Sequence, residues 1–166
     1  MKLHTIEETV VLPIAIDEAW QFFSNPANLG LLTPPELGWE ILRRPGPNVY
    51  AGAIIAYRIR PILGLPLTWV SEITQVAAPH YFVDEQRGGP YQVWHHEHHL
   101  RERPEGTEVR DLVHYALPLD PLSRPIHDRL VQPQLRRIFR YRRRALARLF
   151  APAHGRGEGQ SAAHAL

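Results

Sequence analysis

The densest run of chemistry-bearing side chains is Val93-Trp94-His95-His96-Glu97-His98-His99-Leu100, which holds four of the chain's ten histidines. Histidine titrates close to neutral pH and is also a common metal ligand. Such a run can therefore serve acid–base catalysis, metal binding or the hydrogen-bonded anchoring of a ligand. In a strand, successive side chains point to opposite faces. Trp94, His96, His98 and Leu100 then share one face, while His95, Glu97, His99 and Arg101 share the other. The first set contains both large apolar residues and is read as inward; the second is charged and is read as facing solvent.

The flanking segments supply the partners. Downstream, Val109, Asp111, Val113, Tyr115 and Leu117 share a parity, and the turn Pro104-Glu105-Gly106 folds this segment back antiparallel. Upstream, Phe82, Asp84 and Gln86 form a third row. The expected inner polar cluster is Gln86, His96, His98, Asp111 and Tyr115. An Asp beside a His fixes its tautomer and raises its basicity, which makes His96, His98 and Asp111 the catalytic candidates, as a general acid or base. The same residues can equally form a scaffold that supports the sheet or orients a ligand. His-x-His on a strand is also a usable first pair for zinc, completed by Asp111 inside or by Glu97 with His95 and His99 outside. Neither set is a specific signature, so no metal and no cofactor are expected.

These rows need elements to hold them. Leu3 to Leu12 reads as a first strand ended by Pro13, and Asp17 as the N-cap of a short helix over Glu18 to Ser24. Ala27 to Leu32 forms a further turn or two before Thr33-Pro34-Pro35. Six strands follow, over 37–43, 53–60, 67–76, 80–87, 91–103 and 108–117, with a broad turn at Pro61 to Pro66. Short turns between successive strands predict an antiparallel meander. From Pro121–Pro125 onward, apolar residues recur at helical spacing to Phe150, including Leu135, Ile138, Phe139 and Leu146. Asp120 or Ser123 caps this long helix, and Pro133 inside it removes one backbone hydrogen bond and should bend it. On its polar side stand Arg129, Arg136, Arg137, Arg140, Arg143, Arg144 and Arg148; Arg142 lies near the apolar stripe and can reach inward to Asp84 or Asp111.

Composition narrows the function classes. The chain has 166 residues, 44% of them hydrophobic, with a formal net charge of +2. That suits one ordinary domain. There is no cysteine, which removes disulfides, thiolate metal sites and a Cys nucleophile. No apolar run approaches the roughly 18 residues of a membrane-spanning helix, and the N-terminus lacks an apolar signal core; a cytoplasmic location is expected. No phosphate-cradling Gly-rich loop and no Gly-x-Ser-x-Gly elbow occur. The arginine stripe lacks the interleaved aromatics of single-strand binders, so nucleic acid is not an expected partner. It serves as a solvated helix face, or as weak attraction to an anionic membrane surface.

The order of strand, two short helices, six strands and long helix is that of the helix-grip fold. The sequence resembles a branch of the START-like (SRPBCC) superfamily that includes polyketide cyclases and dehydratases. The resemblance rests on Phe82 to Gln86, Gly89-Pro90-Tyr91, Trp94-x-His96-x-His98, Gly106-Thr107, Asp111 to Pro118 and Ile138-Phe139-x-Tyr141-Arg142, together with Pro13, Trp20, Phe22, Phe23, Pro26, Leu29 and Leu32-Thr33-Pro34. It implies an α+β helix-grip domain over residues 1–150, followed by a flexible tail over 151–166. It also implies a cavity for a small hydrophobic molecule between sheet and helix. Its expected lining is Trp39, Tyr57, Trp69, Phe82, Gln86, Trp94, His96, His98, Asp111, Tyr115, Ile138 and Arg142. The alternatives are a cyclase or dehydratase using a His/Asp pair, and a partner-binding regulatory domain whose cavity is empty or filled by aromatics.

Overall fold

A computed structural model describes residues 1–62, 64–119 and 121–151. The expected tail from residue 152 onward and the expected cap Asp120 lie outside the described residues.

Strand β1 (His4–Leu12) is followed by helix α1 (Ile16–Phe23) and two 3-10 turns, Pro26–Leu32 and Pro35–Leu37. Then come β2 (Glu40–Arg43), β3 (Ile54–Ile62), β4 (Leu65–Ala77), β5 (Tyr81–Gly88), β6 (Val93–Arg103) and β7 (Gly106–Ala116). A helical turn Arg124–Ile126 and a π turn His127–Val131 lead into the long helix α2 (Gln132–Leu149). The seven strands form one antiparallel sheet in the order β1-β7-β6-β5-β4-β3-β2. This is the expected meander with the first strand added beside the last, and with α2 it makes the helix-grip fold.

Register irregularities interrupt the pairing at Ile41/Arg43, Ile59/Ile62, Val70/Ser71 and Ile73/Gln75. Each extra residue raises the local twist and bends the strand, which curves this half of the sheet around a helix. The β6–β7 hairpin closes through Pro104-Glu105, with Arg103 opposite Gly106. Gly106 has φ +133°, and a Cβ there would meet the Leu12 carbonyl oxygen at 2.1 Å. Only glycine lets this turn lie against the end of β1.

Several local expectations change. The α1 cap is Ala15, with no side-chain hydrogen bond; Asp17 and Glu18 fall inside the first turn, where they favour the helix dipole. Leu37, expected to open a strand, instead ends the 3-10 turn Pro35–Leu37, because Pro34-Pro35 suits a turn and Gly38 leaves it in the left-handed region (φ +55°). The turn after β3 is tight, not broad: Ile62 already pairs with Leu65. At Pro133 the lost N–H is absorbed by the π turn immediately upstream, a known way of relieving a broken backbone ladder.

The core lies on both sides of α2's buried stripe. Leu135 and Phe139 pack with Val113 and Tyr115, whereas Ala145 and Leu146 join Leu12, Ala19, Phe82, Leu100 and Val109. Each large side chain so buried contributes about 1.5–3 kcal/mol, which holds the helix against β5–β7. Between α2 and strands β3–β6 the packing opens into a cavity.

Candidate functional site

The cavity has a volume of about 510 Å³ and an almost wholly apolar wall. Trp39, Tyr57, Trp69 and Trp94 run along it as a chain of rings, with successive centroids 6.3, 5.9 and 5.0 Å apart. They line the space rather than fill it, so the cavity of the structure is not the filled one considered for a regulatory domain. Trp39 is seated on Gly30, where any Cβ would meet its ring at 2.9 Å. Its indole N–H is buried without a hydrogen-bond partner among the described residues. Trp69 instead donates to the Ser71 hydroxyl at 3.1 Å. Burial first, and then the Asp84 charge, holds the Tyr57 phenol well above its ordinary pKa, so it stays a neutral donor. The helix side contributes Leu135, Ile138, Phe139 and Arg142.

The rim is apolar as well. Leu119, Leu122, Ile126 and Leu130 border the cavity yet are 76, 79, 52 and 53% exposed. The outward turn of these residues carries no periodic signal by which it could be found in the sequence.

One corner is polar. Strand pairing sets Asp84 opposite His96, Phe82 opposite His98, and His98 opposite Asp111. His96 and His98 are sandwiched between the two carboxylates. On one side, Asp84 Oδ2 lies 3.3 Å from His96 Nδ1 and 2.9 Å from His98 Nε2. On the other, Asp111 Oδ1 lies 3.0 Å from His96 Nε2 and 3.1 Å from His98 Nδ1. That last pair is close but misaligned, and His98 Nδ1 has no hydrogen-bond partner among the described residues. Arg142 closes the back by donating Nε–H and Nη2–H to Asp111 at 2.8 Å each, a bidentate pair. The imidazoles are held by ring contacts: Phe82 stacks on His98 at 4.0 Å, and His98 lies tilted against His96 at 3.8 Å.

The charges of the corner follow from this packing. Burial would raise the Asp111 carboxyl, but the Arg142 guanidinium and the two histidines outweigh it and hold the acid well below its usual range. Asp84 is lowered too: burial opposes, and the charge and hydrogen bonds of His96 and His98 prevail. For His96, burial favours the neutral ring, yet the Asp84 charge and the hydrogen bonds to Asp111 and Asp84 raise its pKa to about 9.

Of the residues expected inside, Trp39, Tyr57, Trp69, Phe82, Trp94, His96, His98, Ile138 and Arg142 border the cavity. Three others do not. Asp111 stands behind the histidines and reaches the cavity only through them and Arg142. Gln86 is spent on the β5–β6 turn: its amide donates to the Tyr91 carbonyl (2.6 Å) and its oxygen accepts the Tyr91 N–H (3.2 Å). Tyr115, 1% exposed, meets His127 through its hydroxyl (2.9 Å), fastening the π turn to β7. Asp84 takes the place assigned to these two. It stands on the correct row, but its pairing with both histidines depends on the β5–β6 register. The outer zinc set is not a ligand group: among the described residues, only Asp84, His96 and His98 bring ligand atoms within 4.8 Å of one another.

A curved sheet gripping one long helix over an apolar cavity defines a helix-grip domain of the ligand-binding START-like type. More specifically, the chain belongs to the family described as polyketide cyclase / dehydrase and lipid transport, whose model matches residues 12–139. Solved structures of the same fold include protein CV1439 from Chromobacterium violaceum, with 14% identity over 89% of this chain and 97% of that one (TM-score 0.67). Ginseng major latex-like protein 151 from Panax ginseng is similar at 12% identity over 90% and 99% (TM-score 0.65). TTHA0849 from Thermus thermophilus is similar at 15% over 88% and 99% (TM-score 0.60). No functionally curated protein matches the chain significantly. Among the described residues, no helix is long and apolar enough to cross a membrane.

Proposed function

We propose that the protein binds a small hydrophobic molecule, such as a lipid, polyketide or aromatic metabolite, with its apolar body along the aromatic wall and one polar end at the Asp84–His96–His98–Arg142 corner. The single observation that carries this reading is the cavity: about 510 Å³ of apolar space with its ionisable groups gathered at one place. Ligand sites of drug-sized molecules have volumes of about 300–1,000 Å³, with just such sparse polar groups fixing orientation. The exposed leucine rim supports loading from an apolar source, and Arg129 beside Leu130 supports brief contact with an anionic membrane surface. Native mass spectrometry of the purified full chain, followed by solvent extraction, is expected to release an apolar molecule in one-to-one ratio. A protein that carries nothing apolar, and takes up none when offered a lipid extract, would refute the proposal.

A second reading has one observation in its favour. His96, buried between two carboxylates with its pKa raised to about 9, is a proton donor facing the cavity. That suits the acid step of a cyclase or dehydratase, in which a hydroxyl leaves as water. Under this reading His96→Gln keeps ligand binding and loses turnover; equal turnover in the variant removes it.

A further inference from the structure

We infer that Asp84, His96 and His98 form a binding site for a divalent first-row transition metal ion at the floor of the cavity. The inference goes beyond ligand binding and stands on the cluster alone.

The corner has more nitrogen–carboxylate contacts than two neutral rings have hydrogens. All four ring nitrogens of His96 and His98 face carboxylate oxygens within 3.3 Å. A neutral imidazole has one N–H and one lone pair. Filling every contact with a proton requires two adjacent imidazolium rings 3.8 Å apart at their centroids. With fewer protons, at least one lone pair confronts a carboxylate in a buried site, a costly arrangement. A metal ion resolves the count. His96 gives its single N–H to Asp111 Oδ1, His98 keeps its own on the unbonded Nδ1 3.1 Å from the same oxygen, and the lone pairs on His96 Nδ1 and His98 Nε2, with an Asp84 oxygen, become the ligands. Those ligand atoms already lie within 4.8 Å of one another.

The surroundings match what ligating histidines need. Their outer nitrogens are oriented by a carboxylate, as metal-bound imidazoles generally are. Asp111 plays that part for His96, lies 3.1 Å from the outer nitrogen of His98, and is kept ionised by Arg142. Asp84, His96 and His98 border the cavity while Asp111 does not, so the ligand side of the rings is the open side. Two imidazoles and one carboxylate suit zinc(II) or iron(II) and leave coordination positions free. An oxygen donor on the cavity ligand, a carbonyl, enolate or hydroxyl, is the group that would complete the shell. A nitrogen that holds a metal holds no proton, so His96 is then not an acid.

The test uses the full chain, stripped with a chelator and titrated with zinc(II) and, as a spectroscopic probe, cobalt(II). We expect one equivalent of each to bind per chain and the cobalt form to show ligand-field bands of mixed nitrogen and oxygen coordination. Asp84→Asn and His98→Ala should lose the bands. Asp111→Asn should weaken binding by about 10–100-fold. The control His95→Ala/His99→Ala, on the outer face, should bind as the parent does. X-ray absorption of the zinc-loaded parent should show two imidazoles, which covers variants that fail to fold. Binding below one-tenth of an equivalent, binding that survives in folded Asp84→Asn, or a shell without two imidazoles overturns the site. Uptake of an apolar fluorophore by the stripped protein tests the cavity separately.

Discussion

On β6, His96 and His98 stand on the inner face with side chains 10% and 8% exposed, while His95 and His99, one position along, stand outside at 30% and 36%. Both pairs have carboxylate neighbours at similar distances: Asp84 and Asp111 inside, Glu85 and Glu97 outside. The same residue types thus form two networks whose energetics differ because water screens one and not the other. Outside, each ion pair competes with solvent and is worth a fraction of a kcal/mol. Inside, every group depends on its partner, and removing one strands a buried charge.

The sharpest way to break the comparison is to remove an inner cation. Arg142→Met leaves Asp111 with only the histidines, and we expect a loss of about 3–5 kcal/mol, read as a lower urea midpoint with an unchanged slope. An effect no larger than that of an outer variant would erase the distinction.

Next comes pH, measured with chelator present. His96 is raised from 6.5 in the unfolded chain to about 9, so its contribution is complete below pH 6.5 and fades as the pH climbs to about 9. Asp84 and Asp111 are lowered from 3.8, so theirs is present above pH 3.8 and fades as the pH falls below it. Stability should therefore peak between about pH 4 and 6.5 and decline on the alkaline side. His96→Gln should flatten the alkaline limb and His95→Ala should keep it, checked by thermal unfolding across pH.

Tyr115→Phe tests a buried contact away from the cavity. Losing the bond to His127 should cost about 1 kcal/mol and leave uptake of an apolar fluorophore unchanged. Reduced uptake would return Tyr115 to the lining. Smallest of all, Glu97→Gln on the outer face should shift stability by less than about 1 kcal/mol, with the shift shrinking further in high salt.

How far these differences can be read in advance follows from their physical origin. Strand alternation is local, so the split of the β6 histidines into two faces, and the inward row of Phe82 and Asp84, is readable from residue type alone. So is Arg142, through its place beside the apolar stripe of α2. Register is not local. Whether His96 meets Asp84 or Gln86 depends on where β5 begins, after the turn at Ala78-Pro79, and on register shifts against β4, one with its extra residue in β4 and one in β5. Gln86 is misplaced by the sequence pattern for the same reason: the turn at Gly89-Pro90 brings the Tyr91 backbone back onto its amide. The π turn before Pro133 is hidden as well, since nothing in the periodicity announces it. The leucine rim stays hidden because exposed and buried leucines look alike in a short irregular segment.

The space between sheet and helix should behave as a binding cavity. Its most direct measurement is a titration of the solvent-extracted full chain with an apolar fluorophore, for the parent and for Ile138→Trp, which places an indole into the cavity from α2. We predict saturable one-to-one binding in the parent and at least a tenfold loss, about 1.4 kcal/mol, in a variant that remains folded. Equal binding by both proteins, or no saturable binding by the parent, would contradict the account.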